Sequence, residues 1–192
     1  MKITIFGGSS PLPESNEYQF AYNLGRALAI AGHTVLTGGY MGTMEATSKG
    51  AAEVGGHVIG VTCEEIERWR KRTHNPWVKE EWKLVTLHER MIKLIDSCDT
   101  AIALPGGPGT LAEIVLMWNR IQIEAIPSVP IILVGDEWKK IFSLFYQELK
   151  GYIPAASIET IKFAKTIEEI ISYLPIETRI ESHLNIQERR ES

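Results

Sequence analysis

The sequence predicts an α/β fold, a Rossmann-like, mostly parallel sheet with helices on both faces. Two observations predict it. Short apolar runs alternate along the chain with segments of helical period, the pattern of successive βαβ units. Three of those runs end in glycine-rich turns, after Phe6, Thr37 and Leu104. Right-handed crossovers place every strand-to-helix turn on one edge of such a sheet, and ligands of open α/β sheets bind there, beside a switch in strand order.

The elements follow in order. Ile3, Ile5 and Phe6 make a first strand that stops at Gly7-Gly8-Ser9-Ser10-Pro11. Ser15 is suited to cap a helix running to about Ala31, with Phe20, Leu24 and Leu28 near one face and Gly32 as its stop. Thr34–Thr37 is a second strand, closed by Gly38-Gly39-Tyr40-Met41-Gly42, and a helix then reaches about Val54. His57–Val61 reads as a third strand and Trp82–Thr86 as a fourth, followed by a helix from His88 to Asp96. Thr100–Leu104 is the fifth strand, and its helix runs to about Glu124. Pro130–Val134, a helix over Glu137–Leu149, a short strand at Ile161–Phe163 and a helix from Thr166 to Tyr173 complete the pattern.

A chain of 192 residues suits one domain with a sizeable core. Residues 1–174 are expected to form a single Rossmann-like nucleotide-binding domain, and 175–192 a polar C-terminal tail. The net charge of −4 and pI near 5.8 give no bulk attraction to nucleic acid or anionic membrane. Cys63 and Cys98 stand far apart without a CxxC, which argues against a disulfide framework or a thiolate zinc site and suits a reducing cytosol. Met1–Phe6 is too short for a signal-peptide core, and no apolar run approaches the ~20 residues of a membrane span. A cytoplasmic protein is expected.

The chemistry concentrates in Pro105-Gly106-Gly107-Pro108-Gly109-Thr110-Leu111-Ala112-Glu113. Glycines let a ligand approach the main chain closely. The first N–H groups of the following helix lack intrahelical partners and carry partial positive charge, so such a turn binds phosphate. Thr110 adds a hydroxyl, or caps the helix. Glu113, one turn in, stands beside whatever the loop holds, or complements the helix dipole. None of the three turns reads GxGxxG, and the second strand ends without an acid for a ribose diol, which disfavours NAD and FAD. No GxxxxGK[ST] is present. The histidines show no metal-ligand spacing, so neither metal nor cofactor is expected.

With these residues in view, the chain resembles the LOG family, whose signature PGGxGTxxE stands intact at Pro105–Glu113. The resemblance extends to Phe6–Ser10, Gly38–Gly42, Gly55–Val61 and Leu87–Arg90, over roughly residues 1–170. The chain departs from the family's usual pattern at Met91, at Ala112, and at Tyr40 and Thr43 in the second turn. The resemblance implies a metal-free phosphoribohydrolase that cleaves nucleoside 5′-monophosphates, AMP or cytokinin riboside monophosphates, to free base and ribose 5-phosphate. It implies a homodimer or higher homo-oligomer. By motif the catalytic pair is Arg90 and Glu113, with Glu113 supporting an oxocarbenium-like state and a water, and Arg90 holding phosphate or base. Gly8, Ser9, Ser10, Gly38, Gly39, Gly42, Gly106, Gly107, Gly109 and Thr110 would bind substrate, with Met41 and Met44 available to pack on a base. The alternative is a non-catalytic binder, carrier or sensor of a phosphate-bearing ligand, similar to the molybdenum cofactor carriers.

Two features stay open at the level of sequence. Residues 64–83 mix charge with Trp69, Trp77 and Trp82, and suit a solvated helix and loop, a wall that selects the base, or a nucleic-acid contact. Ile114, Leu116, Met117, Ile121 and Ile123 either supply a dimer interface or pack on the sheet.

Overall fold

In the computed structural model, which describes residues 1–175, the chain runs β1 (Lys2–Phe6), α1 (Asn16–Ile30), β2 (Thr34–Thr37), α2 (Thr43–Glu53), β3 (Val58–Cys63), α3 (Glu64–Arg70), β4 (Glu80–Leu84) and α4 (Leu87–Asp96). It continues β5 (Thr100–Ala103), α5 (Pro108–Gln122), β6 (Ile131–Val134), α6 (Asp136–Leu149), a 3₁₀ turn (Lys150–Tyr152), α7 (Ala155–Ile158), β7 (Ile161–Ala164) and α8 (Ile167–Ser172). The strands form one seven-stranded sheet in the order β4-β3-β2-β1-β5-β6-β7. Among the described residues every pairing in it is parallel. The expected tail beyond Pro175 lies outside the described residues.

Alternation along the strands divides the core between two faces. Ile3, Ile5, Val35, Val58, Ile102 and Ile132 meet Leu24 and Leu28 of α1, Ala46 and Ala51 of α2 and Ile170 of α8. Phe6, Leu36, Ile59, Val61, Ala103 and Leu133 meet Leu94 of α4, Ile114, Met117 and Trp118 of α5, and Trp138 and Phe142 of α6. Each fully buried Leu or Ile contributes about 1.5–3 kcal/mol over its exposed state. Thr4, on the second face of β1, donates its hydroxyl to the carbonyl of Leu94 at 2.9 Å, so its buried oxygen is satisfied. Ile114, Met117 and Ile121 are thus turned onto the sheet rather than out to a partner, while Ile123 is exposed.

Local chemistry sets the helix starts. Ser15 accepts from the N–H of Tyr18 and caps α1 as expected. Thr86, expected at the end of a strand, instead caps α4 in a reciprocal box with Glu89, and β4 ends two residues earlier at Leu84. β3 extends to Cys63, two residues past its expected end. The outermost strands carry charge: Glu80, Glu81 and Lys83 on β4, Lys162 on β7. Among the described residues no helix is long and apolar enough to cross a membrane.

Candidate functional site

Strand order reverses between β1 and β5, and the turns that leave their carboxyl ends touch. The N–H of Gly8 donates to the carbonyl of Pro105 at 3.1 Å. The turn after β2 closes on the same point, since the N–H and the hydroxyl of Thr43 both donate to the carbonyl of Gly8 at 3.0 Å. Gly42 makes that approach possible. Its φ is +70°, and a side chain there would overlap the backbone of Gly8 and Ser9. The three glycine turns therefore converge on one edge of the sheet.

At that edge α5 begins at Pro108, with Gly107 as an N-cap that offers no side chain. Gly106, Gly107 and Gly109 are exposed, and Thr110 is buried with its hydroxyl turned toward Gly106. The first N–H groups of α5 have no intrahelical partner and carry partial positive charge. Gly38, Gly39 and Gly42 are buried, Gly8 and Ser9 are half-buried, and Ser10 is exposed.

Arg90 comes from the first turn of α4 and is only 4% exposed. Its Nε donates to the carbonyl of Val61 at 2.8 Å, its Nη1 lies 3.4 Å from Oε1 of Glu113, and its guanidinium stands 5.7 Å from the Tyr40 ring centroid. Met44 is buried with its sulfur 4.0 Å from Nη2, so it packs on Arg90 rather than lining the cleft described below, where Met41 does sit. Glu113 projects from α5 and is 8% exposed. Burial pushes its carboxyl up to about 7, against the opposing pull of Arg90. A carboxyl with that value gives or takes a proton near neutrality.

A second guanidinium, which sequence reasoning missed, stands nearby. Arg70 closes α3, donates from Nη2 to Oγ of Ser9 at 3.1 Å, and lies 5.7 Å from the Tyr40 ring. Burial first, then the charge of Arg90, lowers its pKa. Tyr40 thus carries an arginine on its ring from each of two elements, and its hydroxyl is locked between the N–H and the carbonyl of Cys63 at 2.9 and 3.1 Å. Asn75 was missed too. Its Nδ2 donates to the carbonyls of Gly39 and Tyr40, and its Oδ1 accepts from the N–H of Trp77. The Asn75-Pro76 pair is a turn signal that marks the position, but no spacing in the basic run singles out Arg70.

Together these residues enclose a cleft of about 650 Å³, bounded by Tyr40 and Met41 on one side and by Glu67, Arg70, His74 and Asn75 on the other. One wall of the cleft comes from Glu67 and residues 70–76, and the Tyr40 ring, which carries both Arg70 and Arg90, lies between that wall and the Arg90–Glu113 pair. Trp69 is 77% exposed, Trp77 carries the ammonium of Lys49 on its ring, and Trp82 packs against the core. Among the described residues no three His, Cys, Asp or Glu side chains are grouped to hold a metal.

Comparison with known proteins agrees with this architecture. The model of the SLOG cluster4 family matches residues 1–160. A cytokinin riboside 5′-monophosphate phosphoribohydrolase of Rhodococcoides fascians is 29% identical over 181 residues, covering 93% of this chain and 86% of the relative. Among solved structures, the molybdenum cofactor binding protein of Rippkaea orientalis superposes with a TM-score of 0.68 at 27% identity, over 89% of this chain and 93% of that one. The molybdenum cofactor carrier protein of Chlamydomonas reinhardtii gives 0.66 at 25% identity, over 89% and 93%.

Proposed function

The chain belongs to the SLOG cluster4 family of LOG proteins, and we propose that it hydrolyses the N-glycosidic bond of nucleoside 5′-monophosphates to free base and ribose 5-phosphate. The observation that carries this reading is the buried Arg90–Glu113 pair, set where three glycine turns converge. Burial raises the Glu113 carboxyl to about 7, a value suited to moving a proton near neutrality, which supports catalysis over simple phosphate binding.

The N–H groups at the start of α5 and the hydroxyl of Thr110 take the 5′-phosphate. Gly106, Gly107 and Gly109 let it reach the backbone, and Gly8, Ser9 and Ser10 close over the nucleotide from β1. Gly38, Gly39 and Gly42 form the second wall, in which the missing side chain of Gly38 leaves room for Arg90. The bond from C1′ to the base nitrogen breaks with its electron pair leaving on the base, and the sugar passes through an oxocarbenium-like state that the Glu113 carboxylate stabilises. Water then adds its oxygen to C1′ and gives its proton to Glu113, which passes it on to the departing base. Arg90 orients the carboxylate and balances its charge. AMP and cytokinin riboside monophosphates are the substrate types, and the protein works as a homodimer or larger assembly. A monomer by light scattering at micromolar concentration would contradict the assembly.

The second reading is a non-catalytic carrier of a phosphate-bearing ligand, favoured by the likeness to the two molybdenum cofactor proteins. The deciding experiment incubates the protein with each nucleoside 5′-monophosphate and a prenylated AMP, and follows free base by chromatography. Release that disappears in Glu113→Ala supports hydrolysis. A nucleotide that raises the melting temperature without any release supports the carrier.

A further inference from the structure

The polar contacts of Arg90 leave its guanidinium incompletely held. Nε donates to the carbonyl of Val61 at 2.8 Å and fixes one edge. The contact that matters for chemistry, from Nη1 to Oε1 of Glu113, is 3.4 Å long, and a hydrogen bond of that length constrains little. Nη2 meets the sulfur of Met44, a weak acceptor, at 4.0 Å. The further restraint is the Tyr40 ring, whose centroid lies 5.7 Å from the guanidinium. Tyr40 is buried, and at that distance the attraction between cation and ring is appreciable.

Tyr40 has no proton to give. Its hydroxyl donates to the carbonyl of Cys63 at 3.1 Å and accepts from the N–H of Cys63 at 2.9 Å. Burial raises its pKa above the usual value of a phenol, so it stays protonated near neutrality. Asn75 donates to the carbonyl of Tyr40 at 2.9 Å, so the residue is fixed at its backbone and at its tip. The ring also carries Arg70 at 5.7 Å, whose Nη2 donates to Ser9 in the turn after β1. Tyr40 is a position at which the chain departs from the LOG pattern, so the signature assigns it no part.

Resting on the phosphoribohydrolase reading, we propose that Tyr40 is a positioning residue for the hydrolysis: its ring holds the Arg90 guanidinium against the Glu113 carboxyl, and its hydroxyl, bonded to Cys63, holds the ring. Without the ring, Arg90 still bonds Val61 but turns away from Glu113. The carboxylate then loses the cation that orients it and balances its charge. The turn that takes the phosphate at α5 is untouched, so the loss falls on kcat rather than on KM.

The test compares Tyr40→Leu and Tyr40→Met, which remove the ring, with Tyr40→Phe, which keeps it and removes both bonds to Cys63. All three are expected to melt below the wild type, because each takes the hydroxyl from the buried backbone of Cys63. Catalysis separates them. With the nucleoside monophosphate that the wild type cleaves fastest, the ring-less variants should lose about 10- to 100-fold in kcat with KM changed less than about 3-fold, and Tyr40→Phe should restore most of that rate. A second readout does not depend on turnover. Carbon-13 NMR follows the titration of the Glu113 carboxyl, whose signal is identified by its absence in Glu113→Gln. Arg90 pulls that titration downward, so it should move to higher pH in the ring-less variants and stay near the wild type in Tyr40→Phe. An unshifted titration in the ring-less variants overturns the proposal. So does a rate that follows melting temperature, with Tyr40→Phe as impaired as Tyr40→Leu, because Tyr40 then serves the fold alone. If the wild type releases no base from any nucleoside monophosphate, the hydrolase reading fails by itself, and the titration decides whether the ring positions Arg90.

Discussion

Gly38 and Arg90 share one small volume. A Cβ on Gly38 would overlap Nη2 of Arg90 and stand 2.6 Å from Sδ of Met44. The backbone there has no positive φ, so the position calls for glycine because of space alone. The missing side chain lets the guanidinium lie flat between Val61 and Glu113.

Gly38→Ala will therefore act on Arg90 rather than on the turn. The tip of a long side chain can move where backbone cannot, so the fold is expected to survive at a cost of about 1–3 kcal/mol. Base release should fall by about 10-fold or more because the pair is pushed apart. Denaturant melts and single-turnover assays on the same sample separate the two effects, and an unchanged rate would refute the spatial argument.

The buried carboxyl of Glu113 gives stability a pH dependence. Its value is raised from 4.5 to about 7, so the folded chain holds a proton that the unfolded chain has already released. Stability attached to this group is complete below about 4.5 and is lost as pH rises through about 7. Glu113→Gln removes that titration. Its melting temperature relative to wild type should climb between pH 5 and pH 8, and a flat difference would contradict the assigned burial.

Asn75 ties the cleft wall to the second glycine turn through two side-chain hydrogen bonds, to the carbonyls of Gly39 and Tyr40, and its Oδ1 holds the N–H of Trp77. Asn75→Ala takes the side-chain donor from the Tyr40 carbonyl and one of two donors from the Gly39 carbonyl, which keeps the N–H of residue 75 at 2.8 Å. It should cost about 1–3 kcal/mol in urea unfolding. It should also raise KM more than it lowers kcat, because the wall loosens while Arg90 and Glu113 stay in place.

Thr86→Ala removes half of the capping box that starts α4. A loss of about 1 kcal/mol is expected, read from chemical denaturation. Activity should fall only slightly, since Arg90 is also anchored by Val61.

The parts of this molecule that were legible in its sequence are those whose causes are local. Thr34–Thr37 is a strand to the residue, Ser15 caps α1, and the glycine turns lie where the backbone must bend sharply. The Thr86-x-x-Glu89 box was equally local, but the β-branched run before it reads as strand. Residues 64–79 were not legible, because α3 buries no residue fully and offers no apolar period. Their course is set by tethers to distant positions: Arg70 to Ser9 across 61 residues, Asn75 to Gly39 across 36. Tyr40 needed the backbone of Cys63 to become a fixed aromatic surface, a partner no motif names. The Arg90–Glu113 contact joins two helices 23 residues apart and was reachable only through the signature, not through spacing.

The charged outer strands limit how copies of this chain can meet. A strand edge with Glu80, Glu81 and Lys83, or with Lys162, resists in-register parallel alignment with a like edge, since stacking identical charges across a new ladder opposes the gain of its hydrogen bonds. The charges thereby disfavour a parallel, in-register extension of the sheet by identical edges. The helices are the more open surface for a neighbouring copy, since Val115, Ile141, Leu144 and Phe145 lie open to solvent there.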